Sequence, residues 1–313
     1  MLSILIPVYN YDISRLVGEL HRQGTEAAVD FEILILDDAS TRPSPANEAL
    51  GRLPFVSYSR LPENIGRARI RNRLAAAAAY ENLLFLDCDA EIGCGFINNY
   101  LPFCDGESVV LGGIAYDEEE KNPAYSLRLK YGRKREARPA PEREKHRSFA
   151  TFNFLIPASV LKRVGFDERL RGYGNEDTLL GYELRALGVP LYQIDNPALH
   201  RGLDENPVFL EKTRQSVANL FRLLREEDYA SLLQSSQLLR SYFRIRKLGL
   251  LPTASFLFWL FRRGLEAQLC SPSPSLFLFD LYKLGYLCRL AGEGMTACQP
   301  LSENGGKNNR NPA

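Results

Sequence analysis

The stretch from Leu83 to Ile92 constrains this chain more than any other: Leu-Leu-Phe-Leu-Asp-Cys-Asp-Ala-Glu-Ile. Four apolar residues run without a break into Asp87 and Asp89. A short, uninterrupted apolar run fits a strand buried on both faces. Carboxylates where such a strand emerges are costly unless something pairs with them. In an open parallel sheet, ligands bind at the carboxyl ends of strands. Asp-X-Asp at that place offers oxygen ligands to a hard divalent cation, which can in turn hold phosphates. The plainer alternative is a helix N-cap with a spare acid.

The 313 residues suit one large domain, or one domain with an extension. A formal net charge of +1 provides no global field for nucleic acid. Cys88, Cys94, Cys104, Cys270, Cys288 and Cys298 form no Cys-X-X-Cys pair and no zinc spacing. They read as reduced thiols of a cytosolic protein. Met1 to Tyr9 lacks a basic leader and a small-residue cleavage site, so no signal peptide is expected. No uncharged apolar run reaches the roughly 20 residues of a membrane span.

In order, Leu2 to Val8 is an apolar strand ended by Pro7-Val8-Tyr9-Asn10. Residues 12 to 24 have helical spacing, with Gly24 as a stop. Phe31 to Leu36 is a second buried strand, running into Asp37-Asp38-Ala39-Ser40, and Phe55 to Ser59 is a weaker third. Glu63 to Asn72 then opens an alanine-rich helix reaching about Tyr80. Strand and helix alternate up to the Leu83 strand, which predicts an α/β unit with a mostly parallel sheet. Neither Gly-X-Gly-X-X-Gly nor a Gly-Lys-Ser/Thr loop is present, which disfavours a dinucleotide fold and a P-loop. Phosphate charge would then be met by a metal and by Arg67, Arg69 and Arg71 at a helix start; a solvated basic face is the plainer reading.

Val109 to Ile114 predicts another strand, closed by Gly112-Gly113. Residues 117 to 147 are charged and proline-containing, and read as a surface loop or helix-loop long enough to close over an anionic substrate. Phe149 to Pro157 returns to the sheet, and Val160 to Val164 is a short helix. Gly172 to Asn175 is a loop that delivers Glu176 and Asp177 to the start of an amphipathic helix. These acids suit either N-terminal capping or a base beside a substrate. Leu191 to Ile194 is a last strand, and His200 follows in a loop as a candidate metal ligand. Helical patterns then cover 208–226, 228–247, 252–269 and 274–291. Residues 244–291 mix basic and apolar runs, which fits either a membrane-interface extension or a helical hairpin packed on the domain. Residues 301–313 have a disordered composition.

Five motifs occur in order: Pro7-Val8-Tyr9-Asn10, Asp37-Asp38-Ala39-Ser40, Asn64-Ile65-Gly66 with Arg69 and Arg71, Asp87-Cys88-Asp89, and Gly174-Asn175-Glu176-Asp177. Together they resemble the family 2 glycosyltransferases, with an Asn-Glu-Asp element like that of galactosyltransferases. The resemblance implies a nucleotide-sugar-binding GT-A fold over residues 1–225; the helical extension over 226–300 and the tail over 301–313 lie outside it. It implies that Pro7 and Tyr9 line the nucleobase pocket and that Asp38, with Asp37, bonds the base. Asn64, Gly66 and Arg69 or Arg71 would lie along the nucleotide. Asp87 would contact ribose or a metal-bound water. Asp89, with His200, would hold Mn²⁺ or Mg²⁺ on the diphosphate. Asp177 would be the base, and Glu176 would bind acceptor hydroxyls. The Gln-X-X-Arg-Trp motif of processive synthases is absent, which favours single addition.

The expectation is a metal-dependent inverting transferase that takes a sugar from a donor such as a UDP-sugar to a glycan or lipid-linked hydroxyl. It would act in the cytoplasm or at the inner face of the cell membrane, without nucleic acid. A nucleotidyltransferase and a non-catalytic nucleotide-sugar-binding module are the rival readings.

Overall fold

The computed structural model describes residues 1–146, 149–170, 172–224 and 236–293. The first half alternates as β1 (Leu2–Val8), α1 (Ser14–Glu26), β2 (Phe31–Asp37), α2 (Pro45–Leu50), β3 (Val56–Arg60), α3 (Arg67–Ala77) and β4 (Asn82–Leu86). β1 pairs in parallel with β2 and β4, and β2 with β3. Side-chain alternation explains the unbroken apolar strands. Leu2, Ile4, Ile6 and Val8 of β1 enter the core beneath α1, whereas Leu5 enters the opposite core with Ile70 and Leu74 of α3. β4 divides the same way, with Leu84 and Leu86 on one side and Leu83 and Phe85 on the other. Both faces of these strands are therefore covered.

Gly24 does not stop α1, which continues to Glu26. A Cβ at Gly24 would lie 2.8 Å from the Phe31 ring, so the glycine lets the helix approach β2.

Beyond β4 the simple alternation ends. The chain continues through β5 (Ala90–Glu91), β6 (Val109–Leu111), β7 (Ile114–Ala115), α4 (Ser126–Tyr131), a π-helical turn (Gly132–Glu136) and α5 (Ala140–Lys145). It goes on through β8 (Asn153–Pro157), α6 (Ala158–Val164), α7 (Glu176–Ala186), β9 (Leu191–Gln193), β10 (Ala198–His200) and α8 (Asn206–Leu223). The main sheet has the order β3-β2-β1-β4-β8-β6-β9, with β8 antiparallel between β4 and β6. A second sheet, β5-β10-β7, sets His200 opposite Ala90. His200 thus lies on a strand rather than in a loop. The single strand expected at 109–114 is two, parted at Gly112-Gly113. A Cβ on Gly112 would meet the Tyr100 hydroxyl at 2.3 Å, and Gly113 has φ +98.

Of the basic segment expected as a surface loop or helix-loop, residues 117–146 form the helix-loop, and much of it is buried against the domain. Leu127, Arg128, Leu129 and Arg143 are buried. Its cations bond the protein itself. The Arg143 guanidinium donates to the carbonyls of Leu111, Gly112 and Ile194, Arg135 pairs with Asp280, and Lys130 donates to the Pro274 carbonyl. Arg147 lies outside the described residues.

Among the described residues three further helices follow: α9 (Gln237–Lys247), α10 (Leu251–Leu269) and α11 (Leu276–Gly292). Their inner faces pack on the domain. Leu239, Tyr242 and Leu287 join Val217 and Leu220 of α8, while Phe258, Phe279 and Tyr282 join Leu127 and Phe209. The expected 225/226 boundary, the 301–313 tail and Cys298 lie outside the described residues. The five described cysteines are free. Among the described residues, no helix is long and apolar enough to cross a membrane.

Candidate active site

Beyond β4 the chain turns tightly, with the Ala90 N–H donating to the Asp87 carbonyl at 3.1 Å. Asp87 and Asp89 both line a cleft of about 490 Å³ above the strand ends. Arg71 claims Asp87, its guanidinium donating to Oδ1 at 2.6 Å. The rest of that buried guanidinium lies over the Phe166 ring, its Nε and Nη1 without a hydrogen-bond partner among the described residues. Asp89 has no such cation. Burial, and then repulsion from Asp87, pushes its carboxyl up to about 7.

His200 lies beside Asp89, with Nε2 3.7 Å from Oδ2. Its ring stacks with Tyr116 and Phe152 at centroid distances of 5.6 and 5.1 Å. Burial, and then the cations Arg128 and Lys212, lower its pKa to about 3, so the imidazole stays neutral. Its buried Nδ1 has no partner among the described residues. A neutral imidazole nitrogen beside an acid that burial destabilises suits a divalent cation. The fit is to two protein ligands. Among the described residues, no group of three or more His, Cys, Asp or Glu side chains forms a metal cluster. Substrate oxygens and water would complete the coordination.

Gly202 is part of this arrangement, though sequence reasoning passed over it. A Cβ there would lie 2.3 Å from Asp89 Oδ2 and 2.7 Å from Asp89 Cβ. Because the second contact is at the root of the side chain, rotation cannot relieve it. Gly202→Ala should displace Asp89 and weaken divalent-cation affinity about 10–100-fold, as lost support of a ligand typically does. Unchanged cation affinity by calorimetry in the folded variant would refute this.

Pro7, Tyr9, Asp38, Asn64 and Gly66 line the same cleft. The Asp38 carboxylate accepts from the backbone N–H groups of Ile65, at 2.7 Å, and Gly66, at 3.0 Å. Asn64 donates to the Asp38 carbonyl, so the three residues form one interlocked turn before α3. Asp37 is not brought to the cleft. It is fully buried, and its carboxylate accepts from the Ser40 N–H and the Tyr58 hydroxyl, tying β2 to β3. Arg69 is also outside. It sits 3.4 Å from Glu168 and faces a neighbouring groove. The helix period puts residues 67 and 71 on one face and 69 on another, and Arg67 is the arginine that joins Arg71 over the cleft. Arg67 lies 3.9 Å from Glu176 and 4.8 Å above the Tyr173 ring. Tyr173 and Lys212 complete a cation–aromatic wall that the motifs did not signal, with Lys212 5.2 Å from the ring and bonded to Asp204.

Gly174 (φ +92) and Asn175 (φ +77) swing the chain into α7. Both tolerate the left-handed region. A Cβ at Gly174 would strike Ser216 at 2.6 Å, and the Asn175 amide donates to the Ser216 carbonyl at 2.7 Å. The turn places Glu176 and Asp177 in the first turn of α7, facing different neighbours. Glu176, expected on the acceptor side, is buried 4.0 Å from Arg71 as well as near Arg67. Asp177 lines a second cavity of about 690 Å³, with Tyr131, Phe149 and Tyr182. Burial, and then Glu176, pushes the Asp177 carboxyl up to about 6, and the Thr178 N–H donates to it at 2.7 Å.

A mostly parallel α/β sheet, with acids and arginines around a cleft at its strand ends and a helix-borne carboxylate in a second cavity, defines the GT-A transferase fold. The chain belongs to glycosyl transferase family 2, whose sequence profile matches residues 3–168. It is 32% identical over 226 residues to validoxylamine A glucosyltransferase of Streptomyces hygroscopicus subsp. limoneus, covering 61% of this chain and 49% of that protein. The chain thus spans about half the length of this relative. A putative inactive polypeptide N-acetylgalactosaminyltransferase 12 of Drosophila melanogaster is 27% identical, covering 61% of this chain and 39% of that protein. The mannosyltransferase PcManGT of Pyrobaculum calidifontis, solved with GDP-Man and Mn²⁺, superposes with a TM-score of 0.58 at 15% identity, covering 94% of this chain and 87% of that one. TarS 1–349 of S. aureus with UDP gives 0.51 at 17% identity, covering 95% and 93%. At these identities the likeness is one of fold.

Proposed function

We propose that this protein is a metal-dependent inverting glycosyltransferase. It moves a sugar from a nucleotide-diphosphate donor, a UDP-sugar by preference, to a hydroxyl of a glycan or lipid-linked acceptor. The observation that carries this reading is the arrangement around the shared cleft. Asp87, Asp89, Arg67 and Arg71 border the end that takes the phosphates, and Asp177 opens onto a second cavity beyond it. The UDP and GDP-Man held by fold neighbours lend support to a nucleotide-sugar donor, and the Mn²⁺ of the mannosyltransferase to a cation.

Asp89 and His200 would hold Mn²⁺ or Mg²⁺, whose Lewis acidity stabilises charge on the departing diphosphate. Arg67 meets the same charge from the start of α3. Arg71 holds Asp87 in place. Asp177 accepts the proton of the attacking hydroxyl, and attack opposite the leaving group inverts the anomeric carbon through an oxocarbenium-like state. Pro7, Tyr9, Asp38 and Asn64 hold the nucleoside.

Arg67→Ala should weaken donor affinity about tenfold or more, the worth of a hydrogen bond to a charged group. Arg69→Ala should leave it nearly unchanged. Equal losses in titrations of the two variants would refute this placement. The reading as a whole is tested with a panel of nucleotide sugars and Mn²⁺, scored by thermal shift and slow donor hydrolysis. Hydrolysis of one donor, lost on chelation, is expected. Stabilisation only by nucleoside triphosphates, with pyrophosphate release, would overturn it.

A further inference from the structure

We infer that the outer face of α10 is a docking surface for an anionic phospholipid bilayer. The inference deepens the lipid-linked acceptor reading but is tested without turnover. Residues 256–261 of α10 are an unbroken apolar run, Phe-Leu-Phe-Trp-Leu-Phe, that goes round the helix, and the domain covers only one side of it. Phe258 and Leu269 are buried against α11 and α8. Phe256, Leu257, Trp259, Leu260 and Phe261 are between 46% and 64% exposed. Phe256 and Trp259 stack on each other at 6.0 Å. Folded soluble chains seldom leave a contiguous patch of this kind in water without a partner for it. As no described helix can cross a membrane, the face would lie along a bilayer rather than enter it as a span.

Charge identifies the occupant. On α9, Arg240, Phe243, Arg244 and Lys247 recur at i, i+3, i+4 and i+7 and line one shallow groove. No carboxylate pairs with these three cations among the described residues. Exposed Leu248 and Leu250 join this groove to the start of α10, and Arg262 and Arg263 follow the apolar run at its other end. A second copy of this chain would set like charges against each other. An anionic headgroup layer neutralises them while its acyl region takes the aromatic side chains.

Trp259 is the only tryptophan of the chain, so its emission reports on this face alone. The full chain is mixed with vesicles of equal parts phosphatidylglycerol and phosphatidylcholine, and with pure phosphatidylcholine. Co-sedimentation with the mixed vesicles, a blue-shifted emission and quenching by brominated acyl chains are expected, weakening with salt. Leu260→Glu should abolish all three, and the double change Arg244→Glu with Lys247→Glu should lower partition about tenfold or more. All three positions are exposed, so the fold should survive. Thermal stabilisation by a nucleotide donor should be unaltered in both, which separates this surface from the donor cleft. No partition, equal partition into phosphatidylcholine alone, or a lipid-free dimer that shields Trp259 would each overturn the inference.

Discussion

Asp177→Asn should lower sugar transfer about 10²–10⁴-fold, the usual contribution of a positioned general base, while donor binding persists. Asparagine keeps the shape of the side chain and can still accept from the Thr178 N–H, which bonds Asp177 at 2.7 Å. It cannot take up a proton. The pH dependence gives a second signature. Burial and the neighbouring Glu176 raise the carboxyl to about 6. Above that value Asp177 is a carboxylate able to accept the hydroxyl proton; below it the acid form cannot. The kcat/KM profile should therefore fall on the acid side near pH 6 rather than near 4, where an ordinary carboxyl titrates. That limb should vanish from the residual activity of the asparagine variant. Near-normal turnover of Asp177→Asn would remove it from the mechanism.

The second large effect belongs to Asp89. Asp89→Ala should abolish cation-dependent donor binding, because one of the two proposed protein ligands is lost and His200 alone remains, 3.7 Å from the vacated carboxylate position. The variant should fold at least as well as the parent protein. Its carboxyl is held near 7 by burial and by Asp87, so ionising it opposes folding rather than favouring it. The sign is definite: a raised carboxyl costs stability as pH rises from the ordinary range through 7, and alanine removes that cost. Calorimetry with UDP and Mn²⁺ should give no cation-dependent heat, beside an unchanged or raised melting temperature. Unaltered cation-dependent affinity would exclude Asp89 as a ligand.

The parts of the site that could be read from the chain are those where one short stretch carries both structure and chemistry. β1 and β4 are unbroken apolar runs because both their faces are covered, and the acids after β4 stand out against them. The Gly-Asn turn before Glu176 was legible for a similar reason, since positive φ leaves a compositional trace. Pairings between distant short segments leave no such trace. β5, β7 and β10 are two or three residues long, too short for any period to show. The choice of Arg67 over Arg69 was available in principle. The helix period separates them, but which face meets the strand ends depends on how α3 lies on the sheet. The basic run at 117–147 misled because charge was read as solvation. Arg128 and Arg143 are interior residues, the first paired with Glu136 and the second bonded to backbone carbonyls, which composition cannot reveal.

The β5-β10-β7 sheet bears on the order in which the molecule becomes competent. His200 meets Ala90, and Arg201 bonds Glu91 across 110 positions of chain. Closing so long a loop is entropically unfavourable and is completed late. A chain emerging from the ribosome can therefore form β1 to β4 and expose Asp87 and Asp89 well before the histidine arrives. Until β10 docks, such a nascent domain lacks one of the two proposed cation ligands, and on the proposed function it would stay inactive during its own synthesis.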